Sequence, residues 1–206
     1  AILAEESGEH RAVEPGGKAV ALGRGRTWVV DPLDGTINYA NGIPFFCVSI
    51  GLAVEGRPSV GVVHDPSRGE TFSAVAGMRA ELSGDTIAAS DKERLSDFVV
   101  SLALGGRGAA SRSRTLRKAV RVPRSRRSAA LALAYVGNGR FDAFIQQGGL
   151  SAWDVAAAGL IAECGGAKVT DMDGGTWFDV SRKTRTIGLL AAPAAHHAEL
   201  LKLARG

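Results

Sequence analysis

An apolar β-type run, Thr27-Trp28-Val29-Val30, leads directly into Asp31-Pro32-Leu33-Asp34-Gly35-Thr36, so two carboxylates stand three residues apart where a strand leaves the core. Such a pair is costly to bury unless a positive charge lies between its members, and a divalent cation is the simplest occupant. The segment offers Asp and main-chain oxygens, and no Cys and His cluster stands beside it, so a hard ion such as Mg²⁺ is expected rather than zinc. Gly35 and Thr36 follow at an expected helix start, where unsatisfied N–H groups favour a phosphate. An Asp-Gly turn with an N-capping Thr would by itself explain Asp34-Gly35-Thr36, and for an isolated Asp-Gly that reading is the more economical one.

Two further segments shift that balance. Ile2-Leu3-Ala4 runs into Glu5-Glu6-Ser7-Gly8, which puts carboxylates at the end of another strand-like run. Trp153-Asp154 opens the helical pattern Val155 to Glu163, which stops at Gly165-Gly166. Asp154 then stands in a first helical turn, where the dipole favours a carboxylate and where it is equally available as a ligand.

Together these segments resemble the inositol monophosphatase family of Mg²⁺-dependent phosphatases. Its strongest pieces are Trp-Val-Val-Asp-Pro-Leu-Asp-Gly-Thr-Ile-Asn-Tyr, residues 28 to 39, and Trp-Asp-Val-Ala-Ala-Ala-Gly, residues 153 to 159, with Glu5-Glu6-Ser7 upstream. The resemblance covers nearly the whole chain. It implies an α+β fold, a layered α-β-α-β-α sandwich of the sugar-phosphatase type, with a metal-binding lobe over residues 1–95 and an α/β lobe over 96–206 that contributes Asp154. It also implies that the initial helices of the family, and with them part of the N-terminal lobe, are missing from this chain. Those helices carry the acid that partners Thr36 in activating water, so no residue here is assigned that role.

Carried over residue by residue, the resemblance makes Glu5, Asp31 and the Leu33 carbonyl ligands of one Mg²⁺. Asp31, Asp34 and Asp154 hold a second, and Glu5 helps with a third. Four carboxylates and a phosphate monoester carry about −6, which three divalent ions neutralise. Asp34 and Thr36 are the catalytic residues, with Thr36 orienting the attacking water. Gly35, Thr36, Ser128, Ala129, Gln146, Gln147 and Asp154 are the substrate-binding ones. The implied activity is that of a phosphoric monoester hydrolase acting on a small phosphorylated polyol or sugar, inositol monophosphate first. Fructose 1,6-bisphosphate and histidinol phosphate are alternatives. Lithium sensitivity and a homodimer are implied as well. Asn38 fits the inositol branch better than the bisphosphate nucleotidase branch.

The chain departs from the family pattern at two pocket positions. Gln146-Gln147-Gly148-Gly149 replaces the usual Glu before Trp-Asp and carries one extra residue, which weakens inositol specificity as an inference. Arg127 stands before Ser128-Ala129-Ala130 where a small residue is usual; it either faces solvent, the simpler reading, or meets a second phosphate.

At 206 residues and 45% apolar content the chain can bury a substantial core, and no apolar run is long enough to span a bilayer. Cys47 and Cys164 lie in apolar contexts and are expected as buried free thiols, consistent with the cytoplasm. Nine Lys or Arg residues and no acid lie between Arg107 and Arg127. Without interleaved aromatics that strip reads as a solvated face, and nucleic acid is not an expected partner. A non-catalytic, RNA-associated module on the same fold remains the alternative of another class. His196-His197 has poor ligand spacing on a helix and is expected at the surface. Three β-rich runs over 45–54, 60–64 and 71–76 predict an antiparallel meander. Beyond them, strands near 98–102, 141–145 and 167–170 alternate with helices near 112–119, 128–136, 154–163 and 194–204.

Overall fold

The computed structural model describes residues 1–10, 22, 24–124 and 127–206. Of the basic strip, Arg126 lies outside the described residues.

The first half builds one mixed sheet. Its strands are β1 (Ile2–Ala4), β2 (Gly8–His10), β3 (Arg26–Asp34), β4 (Cys47–Val54), β5 (Arg57–Asp65), β6 (Glu70–Val75), β7 (Glu81–Leu82) and β8 (Asp85–Thr86), with one short helix, α1 (Thr36–Ala40), between β3 and β4. The order is β2-β1-β3-β4-β5-β6-β7-β8; β1 runs parallel to β3 and the other pairs are antiparallel. The predicted meander is β4-β5-β6. Its first hairpin closes through Glu55 and Gly56, both at positive φ (47° and 74°), the geometry that matches the right-handed twist of the flanking strands.

The second half builds a five-stranded sheet in the order β10-β9-β11-β13-β12 from β9 (Val99–Ala103), β10 (Val122–Arg124), β11 (Ala143–Leu150), β12 (Ala167–Asp171) and β13 (Ile187–Pro193). Its helices are α2 (Ala109–Ala119), α3 (Ala129–Gly137), α4 (Ala152–Cys164) and α5 (Ala194–Arg205). Side chains alternate across this sheet with period two. Phe144, Leu189 and Ala191 join α3, α4 and the first sheet in one core. Ala143, Ile145, Leu190 and Ala192 join Leu116 of α2 and Leu200 of α5 in another. The expected alternation of helical and sheet layers is therefore present, as sheet, helix pair, sheet, helix pair. A further helical layer over the outward face of the first sheet is not among the described residues.

Helix α4 is buried from Val155 to Ala162 because sheets close on both its sides, which is why it lacks a polar face. Small residues let it lie directly on the first sheet. A Cβ at Gly61 would stand 2.7 Å from the Ala157 carbonyl oxygen, and one at Gly51 would stand 2.9 Å from the Ala156 Cβ. No helix among the described residues is long and apolar enough to cross a membrane.

Three expectations need correction. His197 is buried, 2% exposed, and shares a 3.0 Å hydrogen bond with Thr170 Oγ1, while His196 packs edge-on to Phe98; the pair fastens α5 to the second sheet and is not a free surface feature. Cys164 is only partly buried, although both thiols are free as expected. The strand expected over 141–145 begins at Ala143 and continues to Leu150, taking in the Gln-Gln-Gly-Gly segment.

Candidate metal centre and cleft

In a regular strand, residues three apart point to opposite faces. Asp31 pairs with Ser49 and Asp34 with Cys47, three steps on β3 against two on β4, so β3 carries an extra residue between them. This β-bulge turns both carboxylates to the same inner face, and Pro32 sits within it, where no ladder N–H is required.

Asp34 is then held from the second half of the chain. Its Oδ2 accepts hydrogen bonds from Ser128 Oγ at 2.6 Å and from the Ala130 amide at 2.7 Å. The carboxylate thus occupies the N-terminus of α3, where the orphan amides and the helix dipole favour negative charge. Asp154, in the first turn of α4, accepts the Ser151 amide on Oδ2 at 2.6 Å. Ser151 Oγ in turn accepts the Arg185 amide at 3.0 Å. One oxygen each of Asp31, Asp34 and Asp154 lies within 4.8 Å of the others.

Without a cation this arrangement disfavours ionisation. Burial, then the neighbouring Asp34 and Glu5, pushes the Asp31 carboxyl up to about 8. Burial, partly offset by the Ser151 amide, raises Asp154 to about 7. Asp34 is raised by burial against the opposing pull of Ser128 and the α3 amides. The Cys47 thiol beside it is raised by burial and by the Asp34 charge, which keeps it a neutral neighbour. Asp31 Oδ1 accepts the Leu33 amide at 3.0 Å, but Asp31 Oδ2 is buried with no partner among the described residues. An orphaned carboxylate oxygen beside two more carboxylates fits a hard divalent ion.

These groups form one wall of a cleft of about 600 Å³. Glu5, Asp31, Leu33, Asp34, Gly35 and Thr36 line it from the first half of the chain. Ser128, Ala129, Gln146 and Asp154 line it from the second. Glu5 stands outside the 4.8 Å cluster. Helix α1 is only five residues long, so its dipole is small; Gly35 precedes it at φ 93°, packed against Phe45 and Ser128. The turn is fastened by Asn38, whose Nδ2 donates to the Phe45 carbonyl at 2.6 Å.

Gln147 is the predicted site residue that the structure does not bring to the cleft. Four steps from Gln146 to Leu150 on β11 oppose two on β13, from Leu189 to Ile187. This irregularity absorbs the extra residue with Gly148 and Gly149 at positive φ and leaves Gln146 alone facing the cleft. Gln147 turns away, its Oε1 accepting Arg112 Nη2 at 2.8 Å. Arg112 also holds the Gly105 and Arg107 carbonyls, so one member of the basic strip is a structural tie. Sequence reasoning missed Ser151 and Arg185. Ser151 was legible as a Ser three residues before Asp154, the spacing of a capping box; Arg185 carried no local signal.

A sequence model of the inositol monophosphatase family matches residues 1–206. Inositol monophosphatase 2 of Solanum lycopersicum is 40% identical over 179 residues, 82% of this chain and 64% of that protein. Nus factor SuhB of Salmonella typhimurium strain LT2 is 38% identical over 182 residues, 84% of this chain and 64% of that protein. The solved structure of a Thermotoga maritima IMPase superposes with a TM-score of 0.84 at 30% identity, covering 99% of this chain and 73% of that one. The chain therefore spans less than two thirds of the length of these two curated relatives.

Proposed function

Because this chain belongs to the inositol monophosphatase family, we propose that it hydrolyses a small phosphate monoester with Mg²⁺, inositol monophosphate being the leading substrate. The observation that carries this reading is the orphaned Asp31 oxygen among three clustered carboxylates on the wall of an open cleft. Bound Mg²⁺, two to three ions, would neutralise these carboxylates and the phosphate and acidify a water for attack.

Asp31, Asp34 and Asp154 are the holding groups, joined by Glu5 and the Leu33 carbonyl. Thr36, exposed at the cleft wall, orients the attacking water, and the Gly35 and Thr36 amides hold phosphate oxygens. The water oxygen bonds to phosphorus as the ester P–O bond breaks; one water proton is released and one is taken up by the departing alkoxide. Ser128 is proposed as a positioning residue, because its hydroxyl is committed to Asp34. Ala129 and Gln146 line the cleft; in this reading Ala129 would lie beside the phosphate and Gln146 would bond substrate hydroxyls.

Phosphate release from inositol 1-phosphate, fructose 1,6-bisphosphate and histidinol phosphate, with and without Mg²⁺, tests the reading. Turnover should require Mg²⁺, and Asp34→Asn should lose more than the roughly 10–100-fold typical of a residue one shell removed from a metal. Micromolar sedimentation and a Li⁺ titration test the homodimer and lithium sensitivity that belong to the same proposal. A second reading, an RNA-associated regulator, is favoured by relatives named Nus factor SuhB and by the exposed Arg114, Arg117, Lys118 and Arg121 on and after α2. It predicts RNA binding that falls steeply with salt and is indifferent to Asp34→Asn, together with no Mg²⁺-dependent turnover.

A further inference from the structure

Two guanidinium groups at the cleft have no task in the phosphatase reading. Arg127 and Arg185 both line it, both are exposed, and no hydrogen bond or ion pair among the described residues engages either side chain. Each adjoins a serine at the head of a helix that serves a carboxylate. Arg127 directly precedes Ser128, which donates to Asp34; the Arg185 amide donates to Ser151, whose own amide donates to Asp154. Arg185 stands close enough for its charge to act on Asp154.

Their backbones add an independent observation. Among the described non-glycine residues, positive φ occurs at Glu55, Ser83, Arg127 (54°) and Arg185 (61°). Glu55 and Ser83 sit in two-residue hairpin turns between β4 and β5 and between β7 and β8, which demand that conformation. Arg127 and Arg185 sit in no two-residue hairpin turn, yet hold a conformation that costs an L-residue about 1–2 kcal/mol and that glycine adopts freely. Strain retained at two cationic residues that line one cleft points to a task at the cleft.

We propose that Arg127 and Arg185 form a subsite for a second anionic group, a phosphate or a carboxylate, on a substrate whose first phosphate lies at the Asp31, Asp34 and Asp154 centre. The proposal rests on the phosphatase reading of that centre. Metal ions there are matched to one phosphate, so a second anion needs its own cations, and the planar guanidinium fork suits phosphate and carboxylate alike. A cleft of about 600 Å³ has room for a bis-anionic sugar-sized molecule.

The test is equilibrium binding to the full chain in Mg²⁺ of α,ω-alkane bisphosphonates of three to six carbons, alkylphosphonates of matching length and the matching ω-phosphonocarboxylates. None contains a cleavable ester, so binding is read apart from turnover. At least one bisphosphonate or phosphonocarboxylate should bind about tenfold tighter than its alkylphosphonate. That ratio should fall towards one in Arg127→Gly and Arg185→Gly, with Arg127→Lys in between because it keeps the charge and loses the fork. Both glycine variants should melt at or above the wild-type temperature, since they relieve backbone strain, which separates loss of the subsite from loss of the fold. The two di-anionic series tell phosphate from carboxylate. Binding of every compound with a ratio near one, or a ratio that both variants leave intact, overturns the subsite alone. Failure of every phosphonate to bind in Mg²⁺ overturns the phosphatase reading and the subsite with it.

Discussion

Replacing Ser128 by Ala removes the 2.6 Å hydrogen bond to Asp34 Oδ2 and leaves the Ala130 amide as the nearer remaining donor. A buried carboxylate that loses one of its donors costs about 1–3 kcal/mol, measurable by urea unfolding. Mg²⁺ affinity should drop by about 10–100-fold in a metal titration, since Ser128 holds Asp34, a proposed ligand, without being one itself. Asp31→Asn should act in opposite directions on stability and on metal binding. In EDTA at pH 8.5 the neutral amide relieves a crowded carboxylate whose Oδ2 has no partner, so the melting temperature should rise, by about 2–4 °C for each kcal/mol relieved. In excess Mg²⁺ the order should reverse, because the wild type alone gains the full binding energy of the ion. An Asp31→Asn protein less stable than wild type in EDTA would refute this account of the site.

At the scale of elements, the site depends on two irregularities and one close packing. The bulge on β3 places Asp31 and Asp34 on one face, and the irregularity on β11 sends Gln146 and Gln147 different ways. Helix α4 carries Asp154 to the same place because Gly51 and Gly61 let its backbone rest on the sheet. Gly61→Ala would put a methyl group 2.7 Å from the Ala157 carbonyl oxygen and must displace α4 or bend β5. The expected cost is about 1–3 kcal/mol in chemical denaturation, with weaker Mg²⁺ binding as Asp154 moves. A neutral Gly61→Ala would mean that the helix has slack that the packing does not show.

For the molecule as a whole, the three carboxylates should make stability depend on pH and, through the proposed Mg²⁺, on metal. Asp31 titrates near 8 and Asp154 near 7 in the metal-free fold, against an ordinary value of 3.8. Between those limits the folded chain holds protons that the unfolded chain has released. The stabilisation is fully present below about pH 4 and is lost as pH rises through 7 to 8. Melting in EDTA should therefore show these groups destabilising the fold from pH 5 to 8.5, and the increment given by Mg²⁺ should grow over the same range; an increment independent of pH would contradict the assignment. Local pattern alone determined much of this protein. The Trp28 to Tyr39 and Trp153 to Gly159 segments carry the family, the apolar runs of 45–76 carry the meander, and Asp31, Asp34 and Asp154 stand out as candidate ligands from residue type and from their places at a strand end and a helix start. Tertiary structure decided what depends on distant partners or on register. It decided that His197 is buried against Thr170, that Gln147 turns away to Arg112, that Ser128 spends its hydroxyl on Asp34, and that Arg127 and Arg185, 58 positions apart, line one cleft. The reason is physical: a hydrophobic period or a capping residue is encoded within a few positions, whereas the face on which a side chain emerges after a bulge is set by the strand it pairs with, and no short window of sequence contains that partner.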